Sequence, residues 1–414
     1  MMGPKMRCPT LAELPPPPQD RIGWPWTEAS PKLPDTRPDG DAWPQVSIVT
    51  PSYNQAQFIE ETIRSVLLQG YPDLEYVIMD GGSTDGSAEI IRKYEHWLAF
   101  WVSEKDKGQA DAIRRGFSRT GGAIIAWLNS DDIYVHHAIA RAAEGISEMP
   151  GVGAVYGDCE YVDADGKPSG MYGVMDFALE NHLWRGNPIA QPAVFMRRSA
   201  YEAAGGIDPS YSYAMDYDLW LRLGLQAPLH RVPHLIARYR LWENSKTVTS
   251  TVASRTEILR ALDAFFARPE VPDGLKAQRG CAYAFAWFNL SLGSFLADDV
   301  AGSRTQLLRC LAYCLTCCSD LSWLRWLLDC IPLDKVEPYM RNVVRWVQRR
   351  QSIPEYHRKV WSQACLDCVW QCYETAPPST TRSLIHTAVA LRPRCAGNVG
   401  MWKIYRGTLS SHTS

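Results

Sequence analysis

From Val46 the chain alternates short apolar, β-branched runs with amphipathic stretches. VSIVT precedes IEETIRSVLLQ, LEYVIMD precedes SAEIIRKYE, AFWVSE precedes GQADAIRRGFSR, AIIAWLN precedes HHAIARAAEGISEM, and VGAVYGD follows. A short continuous apolar run reads as a strand buried on both faces, whereas apolar positions three and four apart read as a helix. The alternation therefore predicts βαβ units and an α/β fold: a doubly wound, largely parallel sheet covered by helices on both faces. Ligands of such sheets lie beyond the carboxyl ends of the strands. That rule directs attention to residues 50–54, 80–85, 104–111 and 129–132.

Two flanking regions break the alternation. Residues 1–45 are rich in proline (PPPP, WPW, SPKLPDTRPDGDAWP) and predict an extended lead-in that wraps a surface rather than forming a core. A domain is expected over 46–250. Past it, 251–414 reads as a helical region rich in Trp and Cys with no strand alternation. Within that region, 283–315 and 363–393 each suggest an aromatic-rich helix, a polar turn and a Leu/Ala-rich helix, resembling tetratricopeptide-type hairpins. Cys314-x-x-Cys317 and Cys365-x-x-Cys368 have zinc-ligand spacing. Cys310, Cys314 and Cys317 also recur at helical spacing, as do Cys365, Cys368 and Cys372, and a buried helix face of small thiols is the preferred reading.

Composition narrows the class of partner. With 46% hydrophobic residues a sizeable core can form, and 43 basic against 45 acidic residues give a net charge of −2. That balance argues against nucleic acid, whose phosphates demand a basic surface. The N-terminus lacks the apolar core of a signal peptide, so a cytoplasmic location with cysteines as thiols is expected. The stretch 281–297 falls short of the ~20 apolar residues that span a bilayer and contains Asn289. It predicts a buried helix and leaves open a peripheral contact with the cytoplasmic membrane face.

Each strand end delivers candidate chemistry. VSIVTPSYN ends in Thr50, Ser52, Tyr53 and Asn54, which can offer hydroxyls and an aromatic edge to a base or ribose. Asp80, followed by Gly81 and Gly82, can accept hydrogen bonds from a base or ribose while the glycines allow close approach; an Asx turn in DGGSTDG is the alternative. Asp131 and Asp132 follow the apolar run AIIAWLN, and paired carboxylates there suit a hard divalent cation holding a diphosphate. Helix capping before IYVHHAIARA is the alternative for that pair.

Taken in order, VSIVTPSYNQAQFIEETIRSVLLQ, YVIMDGGSTDGS, DKGQADAIRRGF, WLNSDD and GGIDPSYSYAMDYDLWLRL resemble family 2 glycosyltransferases of the GT-A fold, in the non-processive branch that decorates bacterial surface polysaccharides. The resemblance covers about 46–245 and implies a GT-A-like nucleotide-binding, doubly wound mixed sheet, followed by a mostly α-helical C-terminal region. By it, Thr50 and Tyr53 contact the nucleotide, with Asp80 on the base or ribose. Asp132 coordinates Mn2+ or Mg2+ against the diphosphate, and Asp131 touches ribose or sugar. Asp111 and Arg114, on the helix after DKGQ, line the diphosphate side. Asp216 stands at the position of the general base, with Asp218 as the alternative.

The implied reaction is metal-dependent transfer from a nucleoside-diphosphate sugar, UDP favoured, to a glycan, lipid-linked or protein acceptor. One base and no nucleophile imply a single displacement with inversion, and the helix N-terminus expected at Asp216 favours its ionised form. Departures from the family pattern are Met215 where Glu is usual, Arg114 where Asn is common, and Trp242 where many relatives carry His. The last means that the resemblance supplies no histidine ligand to the metal. The Gln-x-x-Arg-Trp signature of processive synthases is absent. Gln191 and Pro192 read equally as acceptor-pocket lining or as a strand entry, and His182 and His230 as core or surface residues. A nucleotidyltransferase is disfavoured because TPSYNQAQ carries no Lys, Arg or Gly for a phosphate loop. A non-catalytic scaffold acting through its helical tail is the remaining alternative.

Overall fold

The computed structural model describes residues 8–313 except positions 185, 250, 300, 304, 307, 308, 311 and 312. In chain order its elements begin β1 (Val46–Ser52), α1 (Ile59–Leu67), β2 (Leu74–Asp80), α2 (Ser87–Lys93), β3 (Phe100–Ser103), α3 (Gln109–Phe117), β4 (Ile124–Trp127), β5 (Ile133–Tyr134) and α4 (Ala138–Glu148). They continue through β6 (Ala154–Val162), β7 (Pro168–Met171), α5 (Leu179–Trp184), β8 (Val194–Arg197), α6 (Arg198–Ala203), α7 (Met215–Gln226) and β9 (Leu229–Arg240).

These strands form one sheet in the order β3-β2-β1-β4-β8-β6-β9-β5, with β7 paired to β6. The β3-β2-β1-β4 half is parallel, as the alternation of strands and helices predicts. The other half is mixed. β8 runs antiparallel to both β4 and β6, β6 is parallel to β9, and β5 is antiparallel to β9. The sheet is thus mixed, as the resemblance to the GT-A fold implies, and its parallel half is the part that the strand–helix alternation predicts. Between β6 and β8 lie a hairpin arm and the six-residue α5 rather than the long helical crossover that returns a chain in parallel.

Every position of β1 is buried, which is why its sequence is apolar throughout instead of alternating. Ile48, Ile78, Ile124 and Ala126 pack with Ile59, Ile63, Val66 and Leu67 of α1. The proline-rich lead-in contributes Cys8, Leu14 and Trp43 to this same core, contrary to the surface role expected for it. Arg64 shows the reason. Its guanidinium is fully buried on α1 and donates to the carbonyls of Pro25 (3.0 Å), Pro15 (2.9 Å) and Trp26 (2.8 Å). A buried cation needs acceptors, and a segment outside any sheet has carbonyls to offer.

The chain divides into two compact units. The first ends at Glu257; the second takes Leu183–Gly186 and begins again at Ile258. After β9 come α8 (Lys246–Thr249), α9 (Thr251–Phe266), α10 (Asp273–Lys276) and α11 (Arg279–Leu296). α11 buries Phe285, Phe288 and Leu292, as expected for an apolar helix packed in protein. No helix among the described residues is long and apolar enough to cross a membrane. Among the described residues, Cys8, Cys159 and Cys310 are free thiols. The paired cysteines at 314, 317, 365 and 368 and the hairpin expected at 363–393 lie outside the described residues.

Candidate active site

Parallel register places the ends of β1, β2 and β3 side by side, with Ser52 beside Asp80 and Asp80 beside Ser103. The turn after β1 and the loop after β2 are then stapled together. Ser83 Oγ accepts from the Asn54 amide at 2.7 Å, Asn54 Oδ1 from the Thr84 amide at 2.9 Å, and Asp85 from the Ala56 amide at 2.8 Å. Asn54 adopts φ +51 and Gly82 φ +81, left-handed conformations that Asn and Gly tolerate. Gly81 is needed for a different reason: a Cβ there would meet Asp106 Oδ2 at 3.1 Å and Tyr53 Cδ2 at 3.3 Å. Tyr53 lies beside Gly81 and is 63% exposed.

Two residues expected to face a nucleotide turn inward. Thr50 is fully buried, and its hydroxyl is paired with the Tyr76 hydroxyl at 3.0 Å, so its side chain is not offered to the cleft. Asp80 accepts from the amides of Gly82 (3.2 Å) and Ser83 (2.9 Å) and from the hydroxyls of Ser83 and Ser103, each at 2.6 Å. That is the Asx-type turn weighed against a ligand role, reinforced by the neighbouring strand. Asp80 shapes the loop. Ser52 is also buried, yet its hydroxyl has no partner, a costly state for a buried polar group unless something else pairs with it.

The acidic pair after β4 splits. Asp132 is fully buried; Oδ1 accepts from the Arg240 amide and Oδ2 from Asn129 Nδ2, both at 3.1 Å. Burial, then the charge of Asp131, raises its pKa well above the ordinary range. Both oxygens of Asp132, expected from the sequence to hold the metal, are thus engaged within the protein, and Asp131 is the more open of the two. Asp131 is only partly buried, and its Oδ2 accepts from the indole N–H of Trp242 at 3.0 Å. Burial raises its pKa too, against the lowering effect of that hydrogen bond. Arg240, at the end of β9, braces the pair by donating to the Asp131 carbonyl at 2.9 Å while bridging to Glu61 at 2.8 Å.

A polar chain runs from here along the sheet edge. Asn129 also donates to Gln191 Oε1 (3.0 Å), whose amide reaches the Trp127 carbonyl (2.9 Å). Gln109, at the start of α3, donates to Asn129 Oδ1 at 2.7 Å and accepts from Lys246 Nζ at 2.8 Å. Lys246 Nζ lies 3.4 Å from the Ser212 carbonyl. Gln191 therefore ties two strand ends together, and Pro192 beside it is buried. Asp111 is largely buried on α3, with long contacts to the Lys107 amide (3.4 Å) and to Arg114 (3.5 Å), whose side chain is more than half exposed.

Asp216 sits in the first turn of α7, where the apolar pattern of YDLWLRL leads one to expect it. Its Oδ2 accepts from Asn187 Nδ2 at 2.9 Å, and Oδ1 from the Tyr217 amide at 2.8 Å. Burial outweighs these bonds and pushes its pKa up to about 6, the opposite direction from the helix-dipole expectation. It stays ionised at neutral pH. Asp218 is different: buried, it receives Arg222 Nε at 2.9 Å and Nη2 at 2.5 Å, which commits it to structure. His182 is a core residue stacked on Tyr217, with burial lowering its pKa to about 3; His230 is exposed.

Several site residues were not singled out in the sequence. Gln109 and Asn129 stood inside quoted motifs (DKGQ, WLNSDD), so their signal was present but unweighted, while Lys246 lies four residues past Trp242. Asn187 and Glu257 lie in no motif. Only the fold brings Glu257 to the segment before α7, where its carboxylate accepts from the amides of Ser212, Tyr213 and Ala214.

Residues 47–204 match the family described as Glycosyl transferase family 2. An uncharacterized glycosyltransferase of Rickettsia conorii is 24% identical over 254 residues, 58% of this chain and 41% of that protein. The putative teichuronic acid biosynthesis glycosyltransferase TuaG of Bacillus subtilis is 36% identical over 108 residues, 25% of this chain and 43% of that protein. The chain thus spans less than half the length of either relative. Among solved structures, the mannosyltransferase PcManGT of Pyrobaculum calidifontis, in complex with GDP-Man and Mn2+, superposes with a TM-score of 0.50 at 20% identity, covering 71% of this chain and 86% of that one. Parallel strands ending in polar loops, an acidic pair after β4 and a carboxylate opening α7 are thus carried by a chain that has a GT-A-like fold and whose residues 47–204 match the family 2 glycosyltransferases.

Proposed function

We propose that this chain is an inverting glycosyltransferase that moves a sugar from a nucleoside-diphosphate sugar to an acceptor hydroxyl in the synthesis of a surface polysaccharide or related glycan. The observation that carries the reading is Asp216: a partly buried carboxylate at the start of α7, held by Asn187, with its pKa raised to about 6. A base poised just below neutral pH accepts a hydroxyl proton while remaining ionised in the resting site. As the acceptor oxygen bonds to the anomeric carbon, its proton passes to Asp216. The bond to the diphosphate breaks on the opposite face, and the configuration inverts. The exposed ring of Tyr53 and the unpartnered hydroxyl of Ser52 are the groups at the β1 end suited to a nucleoside. The similarity to TuaG, named for teichuronic acid biosynthesis, supports a surface polymer as the product class.

The residues present fit a divalent cation shared with the substrate. Among the described residues no group of three or more His, Cys, Asp or Glu side chains could hold a metal by itself. One partly open carboxylate, Asp131, suits a Mg2+ or Mn2+ whose other ligands are phosphate oxygens and water. Asp131 would hold it, and the cation would supply neutralisation of the charge that develops on the departing diphosphate.

The test is a thermal-shift panel of UDP, GDP and dTDP with and without Mn2+, paired with hydrolysis of the matching sugar nucleotides. A nucleotide at about 100 times its Kd stabilises by about 2.7 kcal/mol. If no nucleoside diphosphate shifts the melting temperature and no sugar nucleotide is turned over, the reading fails.

A further inference from the structure

The helix that carries Asp216 is entered from an irregular segment. Between α6 and α7, residues 204–214 belong to no strand or helix, and no sheet ladder receives their backbone amides. Three consecutive amides at its end are satisfied from one distant side chain. Glu257, on α9, accepts from the Ser212 amide through both carboxylate oxygens at 3.0 Å, from Tyr213 at 2.7 Å and from Ala214 at 2.9 Å. Charge-assisted bonds of this kind are about twice as strong as neutral ones, and three amides converging on one carboxylate fix the path of the backbone. That path enters α7 at Met215, one residue before Asp216. The same segment reaches Lys246 at its other polar face, through the Ser212 carbonyl at 3.4 Å and the Tyr213 ring, whose centroid lies 5.9 Å from the ammonium.

We infer that Glu257 is a positioning residue for the transfer step, acting through the backbone of residues 212–214 to set where Asp216 presents its carboxylate to the acceptor. The inference rests on Asp216 being the base. Its chemistry explains why the holder is a carboxylate. A neutral amide carries no charge to strengthen the three bonds that converge on Oε2, and its N–H group, standing where Oε1 is, would face the Ser212 amide donor. The base would then shift by a fraction of an ångström to an ångström, and misplacement on that scale costs up to about 100-fold in rate. The bonds of Glu257 to these three amides run to the segment before α7 and not to the ends of β1–β4, so the effect is expected in turnover rather than in nucleotide affinity.

The experiment compares the full chain with Glu257→Gln and Glu257→Asp. Hydrolysis of UDP-N-acetylglucosamine and GDP-mannose by water is followed as release of the nucleoside diphosphate, and UDP and GDP binding is measured with Mn2+ on the same samples. In Glu257→Gln, kcat is expected to fall roughly 10- to 100-fold with donor KM and nucleotide affinity unchanged. Glu257→Asp, which keeps the charge on a shorter stem, should recover part of that loss. Wild-type kcat in Glu257→Gln, or a parallel loss of kcat and nucleotide affinity, overturns the positioning role; the second result marks Glu257 as merely structural. A wild-type chain that neither binds nor hydrolyses these nucleotides overturns instead the function on which the inference rests.

Discussion

At the ends of β1–β4 the polar groups arrive by register, whereas at α7 they arrive by assembly from far along the chain. Ser52, Asp80 and Ser103 are aligned simply because three parallel strands pair in step. Asp216, by contrast, is set by Asn187 and by a segment tied to Glu257. The outcome differs as well. Strand-end carboxylates such as Asp80 and Asp132 are enclosed and bonded by backbone amides, while Asp131 and Asp216 keep a partly open face and raised pKa values. Motif carboxylates therefore divide into those enclosed within the loops and those partly open, and one residue of sequence separates the two kinds at Asp131–Asp132.

The sharpest way to break this division is at Asp216. Asp216→Asn keeps the shape but cannot take a proton, and should lower sugar transfer by roughly 100- to 10,000-fold, with nucleoside diphosphate affinity unchanged by titration calorimetry. An unaffected turnover would remove Asp216 from the base role. The same carboxylate sets an acid limb. Burial lifts its pKa from 3.8 to about 6, and only the deprotonated form accepts a proton, so kcat/KM should fall about tenfold per pH unit below about 6. The stability sign runs the other way. With its folded pKa above the unfolded one, Asp216 contributes stability that is full below about 3.8 and is lost as pH rises through about 6.

Asp218 belongs to the enclosed kind. Asp218→Ala leaves buried Arg222 without its partner and should cost roughly 3–5 kcal/mol in chemical denaturation, with the folded fraction still binding nucleotide. The acidic pair gives the next test. Asp131→Asn should weaken Mn2+-dependent diphosphate binding by roughly 10- to 100-fold, whereas Asp132→Asn should lower the melting temperature and leave the Mn2+ dependence in place. The reverse pattern would return the metal to Asp132. At the small end stands Thr50→Val, which leaves the Tyr76 hydroxyl without its partner at a cost of ~0.5–1.5 kcal/mol and no change in nucleotide affinity. Tyr53→Ala should do the opposite, weakening nucleotide binding without lowering the melting temperature.

How much was legible in the chain varies by residue. Strands β1, β2, β3 and β4 and helices α1, α3 and α7 were readable because burial on both faces, or on one stripe, dictates a period that composition cannot hide. Asp216 was readable because an apolar-patterned run follows it. The lead-in was misread: proline suppresses regular structure and so removes every periodic signal, and nothing in the sequence says that Arg64 needs its carbonyls. The domain edge expected at 250 falls inside the stretch leading to Glu257, where the first compact unit ends. Helix follows on both sides of that edge, so no change of pattern marks it.

Alone, the sequence determined the alternation of elements, the cleft at the carboxyl ends of the parallel strands and the set of acidic residues gathered there, because these depend on local periodicity and on a general rule of sheet winding. Tertiary structure decided which carboxylate of each pair is sealed and which is open, that Thr50 turns to Tyr76, and that Glu257 holds the turn before α7. Those outcomes depend on which backbone amides remain unpaired once strands and helices have packed, and no periodicity in one segment records the unpaired donors of another.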